Sequence, residues 1–190
     1  MRLMNDRRAW GWPARLLHWA MAALIPFMLG LGVLAANAFA PDDPAKLAWV
    51  RLHVSWGGVV FALVALRVAW RGVNREAPAP RGDGPLGRAA AGAAQAALYA
   101  LMAATPLSGW LMASASEQQD LFGVRSEVFG LFTLPDPFVP GNAALERAFR
   151  AVHVGCALAL ATVVLLHAAA ALRRHVVRRD DVLRRMTLGP

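Results

Sequence analysis

Apolar residues in this chain fall into four long, nearly unbroken runs rather than short alternating stretches: Gly11–Ala36, Ala45–Trp70, Gly87–Ser114 and Ala148–Leu172. Each exceeds the roughly 20 residues that a helix needs to cross the hydrocarbon of a bilayer. Ten-residue segments with one oily and one polar face are absent, which excludes a membrane β-barrel. The pattern predicts an all-α membrane protein, a four-transmembrane-helix bundle forming one domain over residues 1–190. Pro26 and Pro106 fall inside the first and third runs. Each removes a backbone donor there and is expected to kink its helix. The hydrophobic share of 57% agrees with this class and is high for a soluble domain.

Charge sets the expected orientation. Three regions hold fifteen of the 20 Lys and Arg: the N-terminus (Arg2, Arg7, Arg8, Arg15), the connection between runs two and three (Arg67, Arg71, Arg75, Arg81, Arg88) and the tail (Arg173, Arg174, Arg178, Arg179, Arg184, Arg185). The other two loops hold Lys46, Arg51, Arg125, Arg147 and Arg150. By the positive-inside rule both termini face the cytoplasm, and the net charge of +8 marks a membrane surface rather than nucleic-acid binding. A membrane, with lipid as the surrounding partner, is the expected location. The segment NREAPAPRGDGPLGR, residues 74–88, reads as a Pro/Gly-rich cytoplasmic linker. Residues 115–147 read as a longer outer loop, where Phe122, Phe129, Phe132 and Phe138 form a lid or ordinary interfacial aromatics. Arg7, Arg8 and AANAFA (35–40) imitate a signal peptide, but the apolar run is longer than usual, contains His18 and is followed by three more.

The candidate chemistry is histidine. His175 lies beyond Arg173 and Arg174 and reads as a solvated or headgroup residue, whereas His18, His53, His153 and His167 fall inside the runs. A single such histidine is ordinarily an interfacial or helix-packing group, yet an ionisable residue within a span is a functional candidate. His153 and His167 are fourteen residues apart on one helix, a rise of roughly 21 Å. The accumulated rotation falls about 40° short of four turns, so both rings project from nearly one face. Depth selects their partners. His53 starts the second run beside Arg51 and matches His153 beside Arg150; His18, just after Arg15, matches His167, six residues before Arg173.

Two neutral imidazoles facing across a bundle suit the iron of a six-coordinate b-type haem. Zinc ordinarily takes four protein ligands, or three with an open position, and neither level offers a third His, Cys, Asp or Glu. Every carboxylate lies outside the four runs, which weighs against a proton relay or a small metal or proton transporter. The single Cys156 permits no intrachain disulfide and weighs against cysteine-based metal sites. Gly57, Gly58, Gly155 and Ala168 to Ala171 leave room near the histidines, although small residues also serve helix packing. Arg15, Arg71 and Arg173 on the inner side, with Lys46, Arg51 and Arg150 on the outer side, are candidate contacts for haem propionates. Trp19 and Trp56 read as interface or packing residues.

The stretches RLLHW (15–19), RLHVSWGG (51–58), ALYALMAATPLSGWLM (97–112), FGLFTLPDPF (129–138), AVHVGCALALATVVLLHAAAALRRH (151–175) and DDVLRRM (180–186) together resemble the prokaryotic cytochrome b561 family. The resemblance covers nearly the whole chain in order. It implies a dihaem four-helix protein of the inner membrane, with His18, His53, His153 and His167 as axial ligands of two haem b groups. It further implies electron transfer between an outer donor, superoxide in some members, and the ubiquinone/ubiquinol pool. Other relatives are electron-relay subunits serving a partner dehydrogenase or hydrogenase. One departure is Gln95, where many relatives have a histidine ahead of the LY of the third helix. A glutamine is not an ordinary haem ligand, although it can still donate a hydrogen bond.

Overall fold

The computed structural model describes residues 2–6, 9–40, 43–74, 84–117, 126–138 and 141–187. Most of the Pro/Gly-rich linker, together with Arg7, Arg8, Phe122 and Arg125, lies outside the described residues. The elements are α1 (Trp12–Asn37), α2 (Pro44–Val73), α3 (Pro85–Ser114), a hairpin of β1 (Glu127–Val128) and β2 (Phe132–Thr133), α4 (Ala143–Val176) and α5 (Val182–Thr187). Helices α1 to α4 are long and apolar enough to cross a membrane.

Three of the four helices outrun the apolar stretches that announce them. Helices α2 and α3 have 30 residues each, and α4 has 34. Their starts are set by local chemistry. Asp43 caps α2 by accepting from the Ala45 amide at 2.8 Å, with Pro44 at the first helical position. Pro85 opens α3 in the same way. Asn142 caps α4 by accepting from the Leu145 amide at 3.1 Å, so that helix begins five residues before the apolar run at Ala148. The added turn is amphipathic and carries the Glu146–Arg150 pair at 2.6 Å.

Packing runs as a chain of neighbours: α1 lies on α2, α2 on α3, and α3 most extensively along α4, whereas α4 meets α1 sparingly. The core is an apolar layer of Met21, Ile25, Val60, Val64, Met102 and Leu160, with Leu98, Tyr99 and Val164 against it. The outer surfaces of the helices remain oily: Leu158, Leu165, Leu166 and Leu172 of α4 are each more than half exposed. Such faces suit lipid rather than water, in keeping with a multi-pass membrane protein.

Both ends of the bundle are closed by short segments. At the end bearing the chain termini, Trp12 donates its amide to the Arg2 carbonyl at 3.0 Å, and Gly11 donates to Asn5 Oδ1 at 2.9 Å. A Cβ on Gly11 would stand 2.2 Å from the Leu3 carbonyl oxygen, so this approach admits only glycine. The buried Asn74 at the end of α2 accepts from the Asn5 amide at 3.3 Å. At the opposite end the hairpin docks on α2. The Ser55 hydroxyl donates to the Glu127 carbonyl at 3.2 Å and accepts from the Phe129 amide at 3.0 Å. Val128 is buried against Gly58.

Candidate functional site

The four intramembrane histidines converge in two pairs, one near each end of the bundle. At the end bearing the termini, the rings of His18 on α1 and His167 on α4 lie 6.2 Å apart between centroids, inclined at 62°. At the hairpin end, His53 on α2 and His153 on α4 lie 6.1 Å apart, inclined at 89°. The same partners follow from depth and rotation in the sequence. Helix α4 supplies one ring to each pair because fourteen residues return nearly to the same face.

The hairpin-end pair is held by α1 and α3. His153 Nδ1 stands 2.8 Å from the Thr105 carbonyl oxygen and 3.4 Å from Ser108 Oγ, while the Ser108 hydroxyl donates to the same carbonyl at 2.9 Å. A backbone carbonyl can only accept, so it takes the Nδ1 proton and leaves Nε2 as the free lone pair. His53 Nδ1 is buried and has no hydrogen-bond partner among the described residues. Both rings lie against glycines. A Cβ on Gly32 of α1 would stand 3.1 Å from His53 Cε1, and one on Gly109 of α3 would stand 2.9 Å from His153 Cε1. The other small residues read from the sequence behave differently. Gly58 serves the hairpin, Gly57 has only the Met28 methyl group near it, and Gly155 faces open space.

The pair at the termini is flanked by a cation. Arg67 of α2 places Nη2 3.4 Å from His18 Nδ1, while its Nε–H donates to the Tyr99 hydroxyl at 3.2 Å. The guanidinium carbon lies 5.9 Å from the centroid of the Tyr99 ring, a cation–π distance. Trp19 stands edge-on to His18 at 5.4 Å and donates its indole N–H to the Met186 carbonyl at 3.0 Å. Thus α5 lies across this end of the bundle.

The remaining arginines divide by exposure. Arg51, Arg71 and Arg173 are exposed, and Arg150 is turned to Glu146 at the surface. Arg15 is half-buried; its Nη1 donates to the Thr187 carbonyl at 3.2 Å, and its Nε has no partner among the described residues. Lys46 and Gln95 are half-buried, and His175 is exposed. Arg67 reads from the sequence as a topology determinant of the linker. The structure instead places it inside α2, about 9 Å of helix before Val73, beside His18. Its signal is that no other charge falls between Arg51 and Arg71 in that run. Gly32, Thr105, Ser108 and Gly109 carry no such signal, since small residues are ordinary in membrane helices.

The geometry fits a two-ligand metal site at each level. A metal bonded to two imidazole nitrogens at about 2 Å each holds the ring centroids roughly 6 Å apart. Among the described residues, no group of three or more His, Cys, Asp or Glu gathers anywhere. The carbonyl-bound Nδ1 of His153 suits an imidazole that uses Nε2 as ligand.

Comparison with known proteins agrees with this chemistry. The model of the family described as prokaryotic cytochrome b561 matches residues 9–189. Cytochrome b561 homolog 2 of Escherichia coli (strain K12) is 28% identical over 186 residues, an alignment that covers 98% of this chain and 95% of that relative. The chain accordingly belongs to the prokaryotic cytochrome b561 family, membrane cytochromes that bind b-type haem and carry electrons across the membrane.

Proposed function

We propose that the chain is a dihaem cytochrome of the bacterial inner membrane that moves electrons across the bilayer between an outer-side donor and the ubiquinone/ubiquinol pool. One haem b is ligated by His18 and His167 and the other by His53 and His153. The observation that carries this reading is the equal spacing of the two pairs, 6.2 and 6.1 Å between ring centroids. A two-imidazole site at each level suits haem better than zinc, which takes more protein ligands. The haem supplies the one-electron chemistry; the chain's own residues position it and govern access.

His153 is oriented by the Thr105 carbonyl, and Gly32 and Gly109 let α1 and α3 approach the outer rings. Arg15, half-buried with an unpartnered Nε, is the best placed of the candidate propionate contacts. Superoxide is a fitting outer-side donor because it is small, anionic and membrane-impermeant. The single domain spans residues 1–190.

The test is a reduced-minus-oxidised spectrum of the purified protein with haem quantification. Two low-spin b haems per chain are expected, and a colourless protein overturns the reading. His153→Ala is expected to remove the outer haem and His167→Ala the inner one, each leaving one haem per chain. Reduction by superoxide or quinol in the absence of any partner separates a self-sufficient oxidoreductase from a relay subunit of a dehydrogenase or hydrogenase.

A further inference from the structure

Arg67 is a cation placed where the chain has every means to avoid one. It lies within a membrane-spanning helix, and a long arginine side chain is able to extend from there toward the aqueous surface. The guanidinium instead turns inward, with Nε–H donated to Tyr99 and Nη2 3.4 Å from His18 Nδ1. Its partners among the described residues are neutral: a phenol, that phenol's ring and an imidazole. Holding an unpaired cation in a low-dielectric interior is unfavourable, so an arrangement that persists there points to a function that uses the charge. Tyr99 is the chain's single tyrosine, and it grips Arg67 by both its oxygen and its ring face. Among the described residues no matching cation stands at the other pair, where His53 and His153 are flanked by Gly32, Gly109, Ser108 and the Thr105 carbonyl.

We propose that Arg67, locked by Tyr99, is the residue that sets the redox potential of the haem held by His18 and His167, making it more easily reduced than it would be in the same pocket without the charge. This rests on the ligand assignment proposed above. The sign follows from electrostatics. Oxidised haem iron carries one more positive charge than reduced iron, so a fixed cation beside the site disfavours the oxidised form. The step is the gain of one electron by ferric iron, and Arg67 exchanges no proton because a guanidinium stays charged. The charge acts at one level, so it biases the balance between the two haems toward reduction of the one next to Arg67.

The experiment is a potentiometric titration of the haem absorbance in the purified wild-type protein and in Arg67→Gln, Arg67→Lys and Tyr99→Phe. In Arg67→Gln one step moves to lower potential and the other stays; the step that moves is the one that His167→Ala removes. Arg67→Lys, which keeps the charge, holds that step closer to wild type than Gln does. Tyr99→Phe releases the guanidinium and moves the same step in the same direction by less. If Arg67→Gln cannot be produced, Tyr99→Phe decides alone, and an unmoved step overturns the proposal. Unmoved steps in Arg67→Gln, or equal movement of both, also overturn it. A wild-type protein without haem defeats the ligand assignment, whereas two haems indifferent to Arg67 defeat the role of Arg67 alone.

Discussion

His153 is gripped between a carbonyl and a glycine of the same helix, and that grip makes a sharp prediction at the scale of one atom. The Thr105 carbonyl fixes the ring through Nδ1, and Gly109, one turn further along α3, leaves the space that Cε1 occupies. A methyl group at position 109 would meet Cε1 at 2.9 Å and Nδ1 at 3.0 Å, closer than carbon atoms approach without displacement. Because the carbonyl already pins the ring, Gly109→Ala must either break that hydrogen bond or rotate Nε2 away from its axis. The expected outcome is loss of the hairpin-end haem, with haem content falling from two to one per chain. Gly32→Ala, where the approach to His53 is 3.1 Å, is expected to retain both haems with a perturbed spectrum. Pyridine haemochrome quantification of the two variants checks both. The pairing of the histidines was legible in the sequence because rise, rotation and depth are properties of any helix. Gly32 and Gly109 were not, and Arg67 showed only as a lone charge inside its run. A glycine among oily residues, or an arginine near a span's end, has its meaning assigned by whichever side chain faces it from another helix.

Among the elements, α5 shows how a short polar segment can hold a position against the bundle. Arg179, at φ 49°, turns the chain back after α4. Asp180 then does two things: one carboxylate oxygen accepts from Arg174 Nε at 2.7 Å and the other from the Val182 amide at 3.1 Å, capping the first turn of α5. Asp181 pairs with the buried Arg185 at 3.0 Å, and Trp19 and Arg15 of α1 donate to the carbonyls of Met186 and Thr187. Partial burial raises the Asp180 pKa, but the hydrogen bonds from Arg174 and Val182 and the charges of Arg174 and Arg185 outweigh it, so the carboxyl lies below its ordinary value. A group depressed in the folded state binds fewer protons there than when released. Its contribution is therefore complete above the ordinary aspartate value of about 4 and is lost as pH falls through the lower folded value. The tail is expected to stay docked from neutral pH down to about 4 and to loosen only in stronger acid. Hydrogen exchange across residues 180–187, corrected for the intrinsic pH dependence, checks this. At neutral pH, Asp180→Ala is expected to loosen the start of α5 and to speed tryptic cleavage at Arg184 and Arg185. Of this element, DDVLRRM was visible in the sequence as a motif, but its docking depends on α1, far away along the chain.

Across the whole molecule, the two histidine levels are separated by the apolar layer of Met21, Ile25, Val60, Val64, Met102 and Leu160. Leu160 sits seven residues from both His153 and His167, about 10 Å of helix from each. The layer is built of apolar side chains, so it gives an ion little to bind on the way from one level to the other. Direction then depends on which end faces out. Fifteen of the 20 Lys and Arg belong to the ends and connections on the side of the termini, including the tail that follows α4. Moving that many charges across a bilayer during insertion is far less favourable than keeping them in the cytoplasm. The termini are therefore expected inside, with the hairpin and the His53–His153 pair outside. Reporter fusions test this directly. A fluorescent protein joined after Pro190 is expected to be bright, and alkaline phosphatase joined at the same point inactive, because its disulfides form only outside the cytoplasm. Phosphatase joined after Glu117, at the far end of α3, is expected to be active. The reverse pattern would place the His18–His167 pair and Arg67 at the outer face. An outer donor would then meet first the site whose reduction Arg67 favours, and the bias that Arg67 supplies would oppose electron flow from the outer face inward.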